Sequence, residues 1–395
     1  MAPAIAMMAW GGNHFTPLLL MYRAVEGYSS VEVALFLAFY IVGLVPGFLL
    51  SAPLSIRFGS RLLVLLGLAL GVGASVMLAL GATAVLWICI GRLVAGMSVA
   101  IAMVVGSGWI RELTVPAGAD PATASRGARR ATLTITVGLG AGAGVSGALG
   151  QWGPWPTILP YAVQIGLSVV AAVFLVSACD SVPTRVNWRA PLREAIRVTR
   201  PPRRFYAVVL PLAPWVFTAG ALAYAVVPAL VSSRISTFSV GFATLLALVT
   251  LGVGVGVQPM VPKIARHSGG REAVAGLGLA VLGVLACIGV SIWTSLALAL
   301  VAAVVLGAAY GICLVVGLVE VQAMTGPESV AGLTGLYYSL TYAGFLLPVI
   351  LAAANQVASY PFLLAAAGVV GIICTVVVAR NIRRPSRPGS MGAVS

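Results

Sequence analysis

Twelve stretches of this chain are apolar and long enough to cross a bilayer, and the basic residues between them fall almost entirely on alternate connections. A span needs about 20 mostly apolar residues. Such stretches run over 3–21, 31–52, 62–81, 84–110, 131–150, 156–177, 206–231, 238–260, 272–292, 294–319, 329–354 and 358–379. One alternate set of connections holds 20 of the 23 Lys and Arg residues. These are Arg57 and Arg61; Arg111, Arg126, Arg129 and Arg130; seven arginines from Arg185 to Arg204; Lys263, Arg266 and Arg271; and four from Arg380 to Arg387. The other set holds Arg23 and Arg234, and Arg92 lies inside a stretch. Connections rich in Lys and Arg stay cytoplasmic, so both termini are expected there. Backbone groups in lipid must be satisfied within the segment, which makes this an all-α membrane protein.

Composition closes off other classes. The chain is 60% hydrophobic and 8% charged, unlike a soluble domain of 395 residues. Its net charge of +14 sits at the headgroup boundary, where it sets topology and meets anionic lipid, so no nucleic-acid partner is expected. Five cysteines (Cys89, Cys179, Cys287, Cys313, Cys374) lie in or beside apolar stretches without metal spacing and read as packing residues. The first stretch lacks a basic leader region and is expected to be a span rather than a cleaved signal. No phosphate loop, H-E-x-x-H or G-x-S-x-G occurs, and there are two histidines. No enzymatic activity, metal or cofactor is expected.

The polar segment 178–206 divides six stretches from six. The expected organisation is an N-terminal six-helix bundle over 1–177, a basic cytoplasmic linker over 178–205, a second bundle over 206–380 and a basic tail over 381–395. Within the linker, Pro191 can open a short interfacial helix carrying Leu192, Ala195, Ile196 and Thr199 on one face; a solvated linker is the alternative. The halves also repeat. Arg57 and Arg61 follow stretch two as Arg266 and Arg271 follow stretch eight, separated by 209 (266 − 57) and 210 (271 − 61). Gly96 and Gly106 of stretch four correspond to Gly307 and Gly317 of stretch ten at an offset of 211 (307 − 96). Trp10 and Trp215 occupy the first stretch of each half. Parallel six-span repeats are a transporter layout, with the substrate site near the midplane between halves.

On these residues the chain resembles the major facilitator superfamily (MFS) over essentially its whole length. The family loop G-x-L-x-D-R-x-G-R-R after span two is matched at Arg57, Gly59 and Arg61, with Ile56 at the acid position and Ala52 at the first glycine. R-x-x-x-G in span four is matched by Arg92 and Gly96. Span five carries Gly138, Gly140, Gly142, Gly144, Gly147 and Gly150, with Val145 where family exporters have proline. The resemblance implies two pseudo-symmetric six-helix bundles, a loop at Arg57, Gly59 and Arg61 that helps close the cytoplasmic side, and a glycine-rich helix, Gly140, Gly144 and Gly147 included, that permits close sliding contact.

Several polar residues within spans are candidates for transport. Arg92 is costly in lipid and is expected to face an interior or a cavity; a structural arginine satisfied by carbonyls is the alternative. His14 and Asn13 lie in span one beside Gly11, Gly12 and Pro17, where the helix is expected to kink or to pack tightly. His14 lies at the depth of Arg92 and is a candidate proton site or else a neutral core histidine. Tyr161, Gln164, Trp215, Tyr224, Tyr310, Tyr337, Tyr338 and Tyr342 are candidate cavity walls. Pro214, Pro228 and Pro348 are expected bends, and Gln258 marks the exit of span eight. Glu32 is expected to cap a helix with Ser29, Glu320 to be interfacial, and Glu112 to be a surface pair or latch. The resemblance implies an acid at the midplane in exporters of lipophilic cations; none lies clearly there in this sequence, which favours neutral or anionic substrates.

The expectation is a secondary transporter working by alternating access, a proton-coupled exporter of small hydrophobic or amphipathic compounds from a bacterial inner membrane. Protons, a small-molecule substrate and the lipid bilayer are its expected partners, and it is expected to act as a monomer. Import of an organic anion is the alternative within transport, and a non-transporting scaffold or receptor the alternative outside it.

Overall fold

A computed structural model describes residues 1–114, 121–178, 201–261, 271–324 and 330–382, and all regular structure among them is helical. Eleven helices there are long and apolar enough to cross a membrane. The first segment is broken instead into Ala2–Asn13 and Leu19–Val25. Gly11, Gly12 and Pro17 weaken the helix at this point. The freed groups are met locally: Thr16 Oγ1 donates to Asn13 Oδ1 at 2.9 Å and the Leu18 N–H to the Phe15 carbonyl at 3.1 Å. Counting this broken segment as span one, the remaining eleven follow as spans two to twelve.

Several helices outrun the apolar stretches that announce them. Span two runs from Ser30 to Phe58 through Pro46 and Pro53, and span three from Ser60 to Leu80. The connection expected over 53–61 therefore contracts to Gly59, whose φ of +86° suits a residue without Cβ. Arg57 closes one helix and Arg61 opens the next. The start of span two is fixed by a capping box, with the Glu32 N–H donating to Ser29 Oγ at 3.2 Å and the Ser29 N–H to Glu32 Oε2 at 2.8 Å. Span four (Val85–Thr114) rewinds as a π-helix over Ala102–Gly106. Span five runs Pro121–Trp152 and span six Leu159–Ala178.

In the second half, span seven (Phe205–Arg234) contains Pro214 and has a π turn at Leu222–Val226 before Pro228. Span eight, Ser239–Val257, ends in the 3-10 turn Gln258–Met260. Spans nine and ten are Glu272–Trp293 and Leu296–Ala323. Span eleven passes from Val330–Tyr342 through a 3-10 turn, Ala343–Phe345, into Leu346–Ala354, where Pro348 sits, and span twelve is Tyr360–Ile382. A proline removes a backbone donor and displaces the carbonyl one turn back, and the altered winding beside Pro228 and Pro348 absorbs this.

The repeat seen in the sequence is also a repeat in packing. Gly43 of span two faces the Leu93 backbone of span four, and Gly254 of span eight faces Tyr310 and the Gly307 carbonyl of span ten. Gly96 lies against the Tyr40 backbone just as Gly307 lies against that of Thr250. The offsets are 211 (254 − 43) and 210 (250 − 40). In both halves a glycine lets two helices approach until backbone meets backbone. The expected interfacial helix at 191–200, most of the connection carrying Lys263 and Arg266, and the tail beyond 382 lie outside the described residues.

Candidate functional site

Arg92 is 1% exposed and lies between two rings. Its guanidinium carbon is 4.6 Å from the centroid of Phe15, at the break in span one, and 4.2 Å from that of Tyr40 in span two. Nε makes a long hydrogen bond of 3.4 Å to the Phe36 carbonyl, and Nη1 is buried without a partner among the described residues. No carboxylate pairs with Arg92 among the described residues. Two desolvated cation–π contacts, each worth about 2 kcal/mol, offset part of the cost of burying the charge.

His14 shares this pocket. It is 1% exposed, stands edge-on to Tyr161 at 5.0 Å, and lies within electrostatic reach of Arg92. Neither ring nitrogen has a hydrogen-bond partner among the described residues. The Tyr161 and Tyr22 hydroxyls share a hydrogen bond of 2.8 Å. Spans one, two, four and six thus close a polar pocket inside the first half. Its position matching Arg92 in the second half (92 + 211) is Ala303, also buried, so the two halves differ in chemistry where they agree in shape.

A second cluster lies where the halves meet. Tyr342 of span eleven stacks on Phe217 of span seven at 4.0 Å and meets Phe48 and Tyr40 of span two at 5.5 and 6.2 Å. Its hydroxyl donates to the Met103 sulfur at 3.2 Å. Tyr338 stacks on Phe48 at 5.7 Å, Tyr310 meets Phe217 at 5.7 Å, and Tyr224 meets Phe345 at 6.3 Å. Met103 belongs to the π turn of span four, Tyr224 to that of span seven, and Phe345 to the 3-10 turn of span eleven. Three departures from regular winding converge on one ring cluster, as helical irregularities often do at functional positions. Tyr40 joins the two sites, its ring centroid 4.2 Å from the Arg92 guanidinium carbon and 6.2 Å from the ring centroid of Tyr342.

Other polar candidates hold helices together. Gln164 accepts from Ser75 Oγ at 2.7 Å and donates to Ser168 Oγ at 3.0 Å and to the Met7 carbonyl at 3.4 Å, tying spans one, three and six. Asn13 donates to the Leu139 carbonyl of span five at 3.3 Å. Trp215 packs beside Gly371 of span twelve, within the second half. Tyr337 donates to the Leu314 carbonyl at 2.9 Å. Glu320 forms a bidentate pair with Arg204 at 2.9 and 3.0 Å, which raises the Arg204 pKa. Glu112 is exposed.

The glycines of span five divide their work. Gly138 and Gly142 face span one, whereas Gly144 and Gly147 face Leu248 and Thr244 of span eight across the seam, and Gly140 has nothing among the described residues within 4 Å of its would-be Cβ. Beyond them Gln151 donates to the Thr237 carbonyl at 2.8 Å and accepts from the Gly241 N–H at 2.8 Å. This joins the halves on the arginine-poor side. On the opposite side Arg61 donates to the Val176 carbonyl at 3.0 Å, within the first half, and Arg57 lies over Phe58 at 5.5 Å.

Tyr40, Phe48, Met103, Phe217, Phe345 and Gln151 are absent from the candidates drawn from the sequence. Phe36, Tyr40 and Phe48 recur at spacings of 4 and 8 along span two, a one-face pattern that was the available signal. Gln151, a lone amide after a glycine run, was another.

A family model described as the Major Facilitator Superfamily matches residues 1–348. Among solved structures, a D-xylose-proton symporter is similar at a TM-score of 0.72 and 15% identity, over 95% of this chain and 95% of that one. The nucleoside transporter NupG is similar at 0.69 and 12% identity, over 96% of this chain and 98% of that one. At these identities the likeness is one of fold. No curated protein matches the sequence.

Proposed function

We propose that this chain, a multi-pass membrane transporter that belongs to the Major Facilitator Superfamily, exports small hydrophobic or amphipathic compounds in exchange for protons. The observation that carries this reading is the aromatic cluster shared by both halves, in which Tyr342 and Phe217 meet Tyr40 and Phe48. A ring-lined site with few polar groups suits substrates with apolar or planar bodies. Rocking of the two halves, 1–177 and 206–380, separates these rings and exposes them to alternate sides. His14, the one histidine within a span, is the residue assigned the proton in this reading. The protein acts as a monomer in the bacterial inner membrane, with both termini cytoplasmic.

Arg92 supports a second reading. A buried guanidinium with a free Nη1 and no carboxylate partner among the described residues is a counter-charge in waiting, and import of an organic anion uses it once Tyr40 moves aside.

Purified protein in proteoliposomes, scanned for proton flux against neutral, anionic and cationic compounds, separates the two. Export predicts flux evoked by neutral amphipathic compounds and lost in Tyr342→Ala. Anion import predicts flux evoked by anions alone and lost in Arg92→Gln. Full pH-driven transport by His14→Gln removes the proton role of that residue.

A further inference from the structure

The arginine-poor face carries two arginines, and they differ in how they are held. Arg234 donates to Thr294 Oγ1 at 2.7 Å. Arg23 is exposed and makes no hydrogen bond or ion pair among the described residues. It stands instead at the polar end of a groove in the seam between the halves, with Ser30 and Tyr360 beside it. All three belong to the ends of spans, the depth of lipid headgroups. Farther along the groove the lining turns apolar, with Val33 and Leu37 on one wall and Ala225 and Ala229 on the other. Leu37 is seven residues past Ser30, about 10 Å deeper at 1.5 Å per residue.

We infer that this groove binds one anionic phospholipid of the outer leaflet, its phosphate on Arg23 and one acyl chain along the apolar walls. The polarity of the groove runs in the same sense as that of a lipid, from a cation at headgroup depth to hydrocarbon below. A guanidinium meets a phosphate through paired charge-assisted hydrogen bonds, and positive charge is otherwise sparse on this face. Because spans one and two form one wall and spans seven and eleven the other, the bound lipid touches both halves. It stabilises the arrangement in which they are closed here, in proportion to its preference for that state.

The test is a count of retained lipid by native mass spectrometry after detergent extraction, following exchange into phosphatidylglycerol, phosphatidylethanolamine or phosphatidylcholine. The wild type and Arg23→Lys are expected to keep one more phosphatidylglycerol than Arg23→Gln and Ala229→Phe, the latter filling the groove. Lipids held by the 20 arginine-side cations are common to all four proteins and cancel. Retention of the two zwitterionic lipids is expected to be equal throughout. Equal phosphatidylglycerol counts in the wild type and Arg23→Gln overturn the inference. So does loss in Arg23→Gln with full retention in Ala229→Phe, or complete displacement of the lipid by inorganic phosphate, since either means an anion held without its chain. The outcome is independent of substrate and transport direction.

Discussion

The Tyr342 hydroxyl donates to the Met103 sulfur at 3.2 Å, joining residues 239 positions apart on opposite halves of the molecule. The same ring stacks on Phe217 at 4.0 Å. Aromatic pairs contribute about 0.5–1.5 kcal/mol beyond area burial, and a neutral hydrogen bond about 1 kcal/mol. Tyr342→Phe keeps the rings and loses the weak sulfur bond, so its KM for an evoking compound is expected within about fivefold of wild type. Tyr342→Ala loses the rings and is expected to raise KM about tenfold or more. Equal kinetics in both variants place the binding site elsewhere.

Arg92 separates stability from function. A buried charge without a carboxylate partner is a weak source of stability, and apolar residues of similar volume replace such charges at little or no cost. Arg92→Met is expected to melt at or above the wild-type temperature while losing transport of anions. Arg92→Lys keeps the charge but not the planar stack between Phe15 and Tyr40, and is expected to fall at least about tenfold in kcat/KM, a loss of about 1.4 kcal/mol. A large fall in Tm for Arg92→Met, paired with normal transport per folded molecule, assigns Arg92 a structural role only.

Gln151 bridges the halves with one donated and one accepted hydrogen bond, both 2.8 Å. If each contributes about 1 kcal/mol, Gln151→Ala shifts the closed-to-open ratio on that side by roughly tenfold to thirtyfold. Spin labels on spans five and eight, near residues 152 and 239, read this as a longer distance population. An unchanged distribution shows that the glycine contact alone holds the seam.

Gly147 and Gly140 lie two turns apart on span five and are expected to respond in opposite directions. A Cβ on Gly147 comes to 2.8 Å from Thr244 Cβ and Cγ2. Thr244 is itself tied back by a bond from Oγ1 to the Val240 carbonyl at 2.7 Å. Gly147→Ala is therefore expected to lower Tm and widen the seam between spans five and eight. Gly140→Ala meets nothing within 4 Å and is expected to stabilise by about 0.5–1 kcal/mol through the lower entropy of the unfolded helix. Thermal melts of the two single variants, at fixed detergent and lipid, check both signs.

The sequence by itself determined the class of molecule. Runs of apolar residues set helix positions because lipid leaves the backbone no other partner, and alternation of arginine is the ground for the sidedness proposed above. The weakness of span one at Gly11, Gly12 and Pro17 was legible for the same local reason, as was the Ser29–Glu32 cap. Helix ends were less legible: hydropathy ends at Ala52, yet span two continues to Phe58 because a helix persists beyond the hydrocarbon until a residue such as Gly59 breaks it. What only the tertiary structure decided is which polar and aromatic side chains share a space. Gln164 and Tyr224 look alike as polar groups in apolar helices, yet one ties spans one, three and six and the other joins the ring cluster. Tyr40 and Phe48 carry only their one-face spacing with Phe36 as a local mark. Their role comes from rotation of span two about its axis and from contact with Tyr342, about 300 residues later in the chain. Helix rotation is set by packing between side chains far apart in sequence, and hydropathy does not encode it.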